Sequence, residues 1–168
     1  MPCVVADTSP LFYLAKLNHL SLLRDLYGKV HIPPEVWRET LAGGRLVPEL
    51  APLFLAAKTD GWLVIEELRR TITDAEILAL DAGECEAIAL ARQLGATLLV
   101  IDEKRGRAVA TRFGLTVTGT LGVLVSAKQR GWIPALKTEL TKLRHETDFR
   151  FSQELEEYAL QLVGESER

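Results

Sequence analysis

The fold is decided by residues 81–110, which read DAGECEAIAL ARQLGATLLV IDEKRGRAVA. Apolar residues recur at helical spacing over 82–94, and Gly95 stands where such a helix would end. The run at 97–101 is short and apolar, as is typical of a parallel strand covered on both faces. A second helix is predicted over 103–113. This stretch therefore predicts a helix, a buried strand and another helix.

Acidic residues stand where two apolar strands end. Asp102 follows the strand at 97–101, Asp7 follows a strand at 4–6, and Glu84 lies in the first turn of the helix between them. Open α/β sheets place their ligands at this edge. Carboxylates gathered there repel one another and lose hydration, so a divalent cation is the simplest counter-charge. Hard oxygen ligands suit Mg²⁺ or Mn²⁺.

The composition limits the class of protein. A chain of 168 residues suffices for one domain, and its 48% hydrophobic content argues against disorder. The net charge of -3 gives no global argument for nucleic-acid binding, although a local basic patch can bind phosphate. No apolar run approaches a membrane span, and the N-terminal segment lacks the basic region of a signal peptide. We therefore expect a cytoplasmic protein without a membrane segment, and two free thiols at Cys3 and Cys85.

Predicted strands and helices alternate along the whole chain. The strands are 4–6, 30–33, 62–65, 97–101 and 115–118. Ser9 is the expected N-cap of the first helix, and the Gly43-Gly44 pair is expected to end the third. The alternation predicts an α/β fold, a three-layer α/β/α sandwich with a mostly parallel central sheet of about five strands. We expect a single domain over 1–168, in which 149–168 form a C-terminal helix that packs on the domain or on a partner.

Four motifs in order resemble those of the PIN domain family. Val-Ala-Asp-Thr-Ser places Asp7 at the family's first acidic position, and Ile-Pro-Pro-Glu-Val-Trp-Arg-Glu places Glu39 at the second. Gly-Glu ahead of an alanine-rich helix places Glu84 at the third, and Leu-Val-Ile-Asp places Asp102 at the fourth. The likeness covers about residues 3–134 and is greatest to a PIN subfamily whose biological role is largely unassigned.

The resemblance implies a metal-dependent endoribonuclease. The catalytic residues, which would also hold one or two Mg²⁺ or Mn²⁺ ions, would be Asp7, Glu39, Glu84 and Asp102. Many small PIN proteins are toxins held inactive by an antitoxin encoded beside them, and dimers are common. The expected partners are therefore RNA, an antitoxin protein and a second copy of the chain. The sequence departs from many toxin members in carrying Glu at position 84.

Further polar residues beside these acids are candidates for contact with substrate. Thr8 and Ser9 could hydrogen-bond the site or the RNA. Lys104, Arg105 and Arg107 could contact RNA phosphates beside the acidic cluster. The same basic run is also consistent with a solvated helix face.

Each acid has a structural alternative. Asp7 and Asp102 could each cap the helix that follows it. Glu39 could be a solvated helix residue, and Glu84 could be placed to interact with its helix dipole. Glu86 is a rival for the third acidic position, and Glu103 is either a neighbour or a further ligand.

Three classes of function are consistent with an α/β chain of this kind. The first is the metal-dependent ribonuclease, and the second is a non-catalytic PIN-like module that binds RNA or a protein. The third, a nucleotide-binding protein, is disfavoured because neither GxGxxG nor GxxxxGK[ST] occurs.

Overall fold

The centre of the molecule is a sheet of five parallel strands in the order β3-β2-β1-β4-β5. The computed structural model describes residues 2–42 and 48–166, so the predicted helix end at Gly43-Gly44 lies outside the described residues. The strands are β1 Val4–Ala6, β2 Val30–Ile32, β3 Leu63–Ile65, β4 Leu98–Val100 and β5 Val117–Thr118. All five predicted strands and their parallel arrangement are confirmed.

Helices connect the strands and flank the sheet, which confirms the predicted three-layer α/β/α architecture. Within the described residues they are α1 Thr8–Lys16, α2 Ser21–Tyr27, α3 Pro34–Ala42, α4 Ala51–Thr59, α5 Ala75–Leu78, α6 Ala82–Leu94, α7 Lys104–Arg112, α8 Thr120–Gln129, α9 Leu136–Glu146 and α10 Gln153–Leu162. A 3₁₀ turn at Pro48–Leu50 precedes α4. None of these helices combines the length and apolar character that a membrane span requires.

Burial on both faces explains the unbroken apolar strands. Every residue of β1 is fully buried, as are Leu99 and Val100 of β4. A parallel sheet covered by helices on both sides requires such continuous runs in place of alternation. Each fully buried side chain of this size contributes about 1.5–3 kcal/mol relative to an exposed one. The two central strands therefore form a stable platform for the residues that follow them.

The register of the sheet brings the ends of β1 and β4 together. Ala6 pairs with Val100, and the backbone N–H of Asp7 donates to the carbonyl of Val100 at 2.9 Å. Asp102 follows two residues beyond Val100. On the other side of β1, β2 leads into α3, which packs against α1 and α6. The carboxyl edge of the sheet is thus surrounded by the elements that carry the predicted acids.

The start of the first helix differs from the prediction. Asp7 occupies the N-cap position with an extended backbone (φ -85°, ψ 171°), so Thr8 is the first helical residue and the predicted N-cap at Ser9 is wrong. Pro10 is tolerated at the third helical position because backbone N–H groups in the first turn have no intrahelical partner. The difference places Asp7 directly at the junction of β1 and α1.

The C-terminal helix α10 contacts α8 and α9. Its Glu156 is buried and accepts hydrogen bonds from the Lys137 ammonium at 2.9 Å and the Arg144 guanidinium at 2.7 Å. Beyond α10, the Glu165 carboxylate accepts from the backbone N–H of Leu136 at 2.6 Å. Charged hydrogen bonds at both ends therefore hold α10 against α9.

Replacing Glu156 with Gln should loosen this contact. The hydrogen bonds from Arg144 and Lys137 hold the pKa of Glu156 below its ordinary value, so its contribution is present at neutral pH and is lost as the pH falls. We expect Glu156→Gln to lower the unfolding free energy at pH 7 by about 1.5–3 kcal/mol. Urea unfolding at pH 7 and pH 3 measures this fall in the unfolding free energy, with exposed Glu154→Gln as the control. Equal losses in both variants would contradict this role.

Both cysteines are free thiols, as predicted. The buried Cys85 thiol donates to the carbonyl of Ile77 at 2.7 Å. Burial raises the pKa of Cys85, so its thiol stays protonated at neutral pH. The cysteine therefore serves the packing of α6 against α5.

Candidate active site

Asp7 is buried at the carboxyl edge of the sheet, with 3% of its surface exposed. It stands at the N-cap position of α1 without a side-chain capping hydrogen bond. Burial raises the pKa of Asp7 well above its usual range and the carboxylates of Glu84, Asp81 and Glu39 raise it further, whereas the Thr8 backbone N–H lowers it. Asp7 is therefore a desolvated carboxyl group among other acids.

Glu39 faces this region from α3. Its carboxylate accepts a hydrogen bond from the Thr8 hydroxyl at 2.5 Å, which joins α3 to the start of α1. The carboxylate also lies against Gly83 of α6, because a Cβ atom at Gly83 would stand 2.7 Å from each Glu39 oxygen. Burial raises the pKa of Glu39, as do the charges of Asp81 and Glu35. The absence of a side chain at position 83 thus leaves the space that the Glu39 carboxylate occupies.

Glu84 lies in the first turn of α6 and is 5% exposed. Its backbone N–H donates to the Asp81 carboxylate at 2.9 Å, which makes Asp81 the cap of the helix. Gly106 of α7 lies close by, since a Cβ there would stand 3.4 Å from a Glu84 oxygen. Burial raises the pKa of Glu84 to about 7, with further contributions from Asp81 and Glu103. Glu84 is therefore a buried carboxyl group whose ionised form is unfavourable without a positive counter-charge.

Asp102 is half-buried and binds the start of α8. Its two oxygens accept from the Thr120 backbone N–H and the Thr120 hydroxyl, each at 2.7 Å. The alternative that Asp102 caps α7 is wrong, because Glu103 occupies the N-cap position of that helix. Burial raises the pKa of Asp102, whereas Thr120 and Arg107 lower it. A Cβ at Gly119 would stand 2.5 Å from Asp102 Oδ1, so glycine permits this close approach.

The two hydroxyl residues predicted to contact the site have different surroundings. Thr8 is half-buried, and its hydroxyl is bound to Glu39. Ser9 is the second residue of α1 and is 7% exposed. Thr8 is therefore placed to orient an acid, and Ser9 belongs to the buried side of its helix.

The predicted basic residues lie at the beginning of α7. Lys104 and Arg105 are exposed, and Arg107 is half-buried. A Cβ at Gly119 would stand 2.9 Å from the Arg107 guanidinium and 2.5 Å from Asp102 Oδ1. The Arg107 and Asp102 side chains therefore both lie against the backbone at Gly119. The positive charge of Arg105 lowers the pKa of Glu84, which places it within electrostatic reach of the acids.

Glu86 and Asp81 differ in their relation to the group of buried acids. The Glu86 carboxylate accepts the backbone N–H of Glu35 at 3.1 Å, so it serves the first turn of α3. Asp81 is exposed, yet its charge raises the pKa of Asp7, Glu39 and Glu84. Asp81 is not among the site residues predicted from the sequence. Its position three residues before Glu84, one helical turn away, is the signal that could have identified it.

The donor set fits a hard divalent cation in its chemistry. Its carboxylates have pKa values raised by burial, so a positive counter-charge would favour their ionised forms. Within residues 2–42 and 48–166, no three His, Cys, Asp or Glu side chains are grouped so as to hold a metal ion. The carboxylates of Glu39 and Asp102 are instead each hydrogen-bonded to a threonine.

The raised pKa of Glu84 predicts a pH dependence of stability in metal-free buffer. A carboxyl group with a folded-state pKa of about 7, against an ordinary 4.5, stabilises the fold fully below pH 4.5 and ceases to do so as the pH rises through 7. The loss is on the order of 3 kcal/mol. We expect urea unfolding in EDTA to show this decline, and Glu84→Gln to flatten it. Glu86→Gln is the control, and an unchanged slope in Glu84→Gln would contradict the assignment.

Comparisons with known proteins agree with this architecture. A family model described as a PIN domain matches residues 3–165. A PilT N-terminus domain protein from the hyperthermophilic archaeon Sulfolobus solfataricus has a similar fold, with a TM-score of 0.52 and 19% sequence identity over 74% of this chain and 92% of that chain. A comparison with curated proteins gives no significant match. The family match confirms the resemblance seen in the four motifs, and the chain belongs to the PIN domain family.

Proposed function

We propose that this protein is a metal-dependent endoribonuclease that hydrolyses RNA phosphodiesters. PIN domains are generally nucleases and usually use divalent metal ions. The observation that carries the proposal is the burial of Asp7 at the sheet edge, within electrostatic reach of Glu39 and Glu84. Buried acids that raise one another's pKa are typical of sites that bind a cation or transfer protons.

The residues proposed to hold Mg²⁺ or Mn²⁺ are Asp7, Glu39, Glu84 and Asp102. A bound divalent cation lowers the pKa of a coordinated water and stabilises negative charge on phosphate oxygens. Thr8 orients the Glu39 carboxylate, and Thr120 orients that of Asp102. Because these hydrogen bonds engage both carboxylates, we expect one or both side chains to rotate when a cation is bound.

The basic residues of α7 would bind the RNA backbone. Lys104 and Arg105 are exposed at the start of the helix, and Arg107 lies beside Asp102. Positive charge next to an acidic centre holds phosphates that the acids alone would repel. Ser9 is buried, so we assign it to the packing of α1 and not to contact with RNA.

The proposal extends to biological role on the strength of the family resemblance. We propose that the protein is the toxin of a toxin–antitoxin pair, acts in the cytoplasm, forms a homodimer and is held inactive by an antitoxin protein. Purification of the chain with the product of the adjacent gene tests the antitoxin, because a cognate antitoxin should co-purify and suppress cleavage. Light scattering tests the dimer.

One observation favours a second candidate, a non-catalytic PIN-like module that binds RNA or a protein. Within the described residues no three potential ligands are grouped for a metal, and threonines engage the carboxylates of Glu39 and Asp102. Such a module would bind RNA or a partner in the same way with or without a divalent cation. The two candidates therefore differ in whether RNA is cleaved when a divalent cation is present.

The experiment that separates them is cleavage of a panel of single-stranded and structured RNAs by the purified, folded protein. Reactions contain Mg²⁺, Mn²⁺ or EDTA, and single-stranded DNA of the same sequences serves as the comparison. We expect internal cleavage of RNA that requires metal and stops in EDTA. RNA binding without cleavage under all three conditions would favour the binding module and overturn the nuclease.

A further inference from the structure

A groove of about 400 Å³ opens beside Asp102, outside the group of buried acids. It is bounded by the start of α7, the first two turns of α8, residues 149–150 and one face of α10. Its volume lies within the roughly 300–1,000 Å³ that is usual for small-molecule and cofactor sites. The groove is therefore large enough for a group of the size of a nucleobase and continues directly from a proposed catalytic residue.

One wall of the groove is apolar and accessible. Its apolar side chains are Leu121, Val125, Phe149, Leu155, Tyr158 and Leu162. Three of them project from α10 with large exposed fractions, 44% for Leu155, 58% for Tyr158 and 46% for Leu162. Exposed apolar side chains gathered in one concave surface mark a binding site more often than scattered ones do. The buried side of α10, which includes Glu156 and Leu160, is already packed on the protein.

The charged side chains of the lining are mainly positive. Lys104, Arg107 and Arg150 contribute three cations, and Asp102 is the one acid among the lining residues. Arg107 lies next to Asp102 across Gly119. Cations beside an apolar wall suit a ligand with negative charges and flat apolar faces, as a polynucleotide has.

We infer that this groove binds an unpaired base of single-stranded RNA, next to the phosphate that is cleaved. This inference rests on the proposed ribonuclease function. Lys104, Arg107 and Arg150 bind the flanking phosphates, and the base lies against the apolar wall and the Tyr158 ring. Bases of a duplex are stacked and paired, so they cannot reach such a wall. A protein segment would need its own carboxylates to meet three cations, whereas RNA carries a phosphate at every nucleotide.

The test measures RNA binding without catalysis, by fluorescence anisotropy of a labelled single-stranded decamer in EDTA. Loss of one base–aromatic stack weakens binding by about tenfold, so we expect that loss in Tyr158→Ala and near wild-type affinity in Tyr158→Phe. Trp132→Ala is the matched control, because Trp132 is 43% exposed and does not line the groove. Unchanged affinity in Tyr158→Ala, or an equal loss in Trp132→Ala, overturns the inference.

Cross-linking of the wild-type protein keeps the inference falsifiable if Tyr158→Ala does not fold, and binding of abasic RNA adds a second test if the variant folds. A wild-type protein irradiated with 4-thiouridine RNA should cross-link within residues 149–162, and cross-links found only elsewhere overturn the inference. A decamer of abasic nucleotides should bind wild type and Tyr158→Ala alike. An equal loss on abasic and normal RNA would show that Tyr158 does not contact a base.

The outcomes separate this inference from the proposed function. Metal-dependent cleavage together with normal RNA binding by Tyr158→Ala would leave the nuclease standing and remove the groove from RNA recognition. Tyr158-dependent binding without any cleavage would refute the nuclease and leave the groove as a site for unpaired bases. If Tyr158→Ala converts a dimer to a monomer in light scattering while RNA affinity is unchanged, the groove is a contact between copies and the inference is overturned.

Discussion

Asp7→Asn is expected to abolish metal-dependent RNA cleavage, with a fall on the order of a thousandfold, while the protein stays folded. Asparagine has nearly the same shape as aspartate but cannot supply the negative charge that a divalent cation requires. Asp7 is the most buried of the four acids and is under the electrostatic influence of two of the others. Its neutralisation should therefore affect catalysis more than any other single replacement.

Stability should respond to Asp7→Asn in the opposite direction. Burial raises the pKa of Asp7, so its ionised form is unfavourable in the folded protein. We expect the variant to unfold at the same temperature as wild type or higher in EDTA. Single-turnover cleavage and thermal unfolding measure the two effects, and exposed Asp60→Asn is the matched control. Cleavage near the wild-type rate in Asp7→Asn would contradict the assignment of Asp7 to the site.

Gly83→Ala is expected to reduce cleavage by about a hundredfold, the scale of a misplacement of roughly 1 Å. The new Cβ would stand 2.7 Å from both Glu39 oxygens, so the carboxylate must move. The end of a glutamate side chain is flexible, and its displacement therefore leaves the backbone in place. Alanine also favours a helix over glycine by about 0.5–1 kcal/mol. The variant should therefore be folded and less active.

A double variant shows whether Gly83→Ala acts through Glu39. With Glu39→Ala already present, no carboxylate opposes the new methyl group, so Gly83→Ala should stabilise the protein by the full helical preference of alanine. In the wild-type background this gain should be reduced by the contact with Glu39. Urea unfolding of all four proteins measures the difference. Identical gains in both backgrounds would show that the two residues do not interact.

The sheet and two of its acids could be predicted from the sequence because their signals are local. The apolar runs before Asp7 and Asp102 predict buried parallel strands, and parallel strands in one sheet end at the same edge. The register of Ala6 with Val100 then brings the two strand ends together. These conclusions required no knowledge of how the helices pack.

The surroundings of Glu39 could not be predicted, because they depend on three helices that are distant in the chain. Thr8 is on α1, Glu39 on α3 and Gly83 on α6, and their contacts follow from the way α3 packs between the other two. Helical periodicity indicates which face of a helix is buried but not which side chains meet there. The influence of Asp81 on Glu39 was missed for the same reason, whereas its spacing from Glu84 was a local signal.

The groove beside Asp102 also depends on tertiary packing. The last helix carries apolar residues on two faces, so its pattern alone does not show which face packs on the domain. In the structure Ala159 and Leu160 are buried, whereas Leu155, Tyr158 and Leu162 remain exposed. Burial of this face of α10 is consistent with the position of Glu156, because its charged hydrogen bonds to α9 orient the helix.

The most direct test of the account is to locate Mn²⁺ in crystals of the protein by anomalous scattering. We expect an anomalous peak in contact with the carboxylates of Asp7 and Glu84, with Glu39 and Asp102 reached directly or through water. The same peak should be absent from crystals of Asp7→Asn. Well-ordered crystals at saturating Mn²⁺ with no peak among these four side chains would contradict the proposed metal centre.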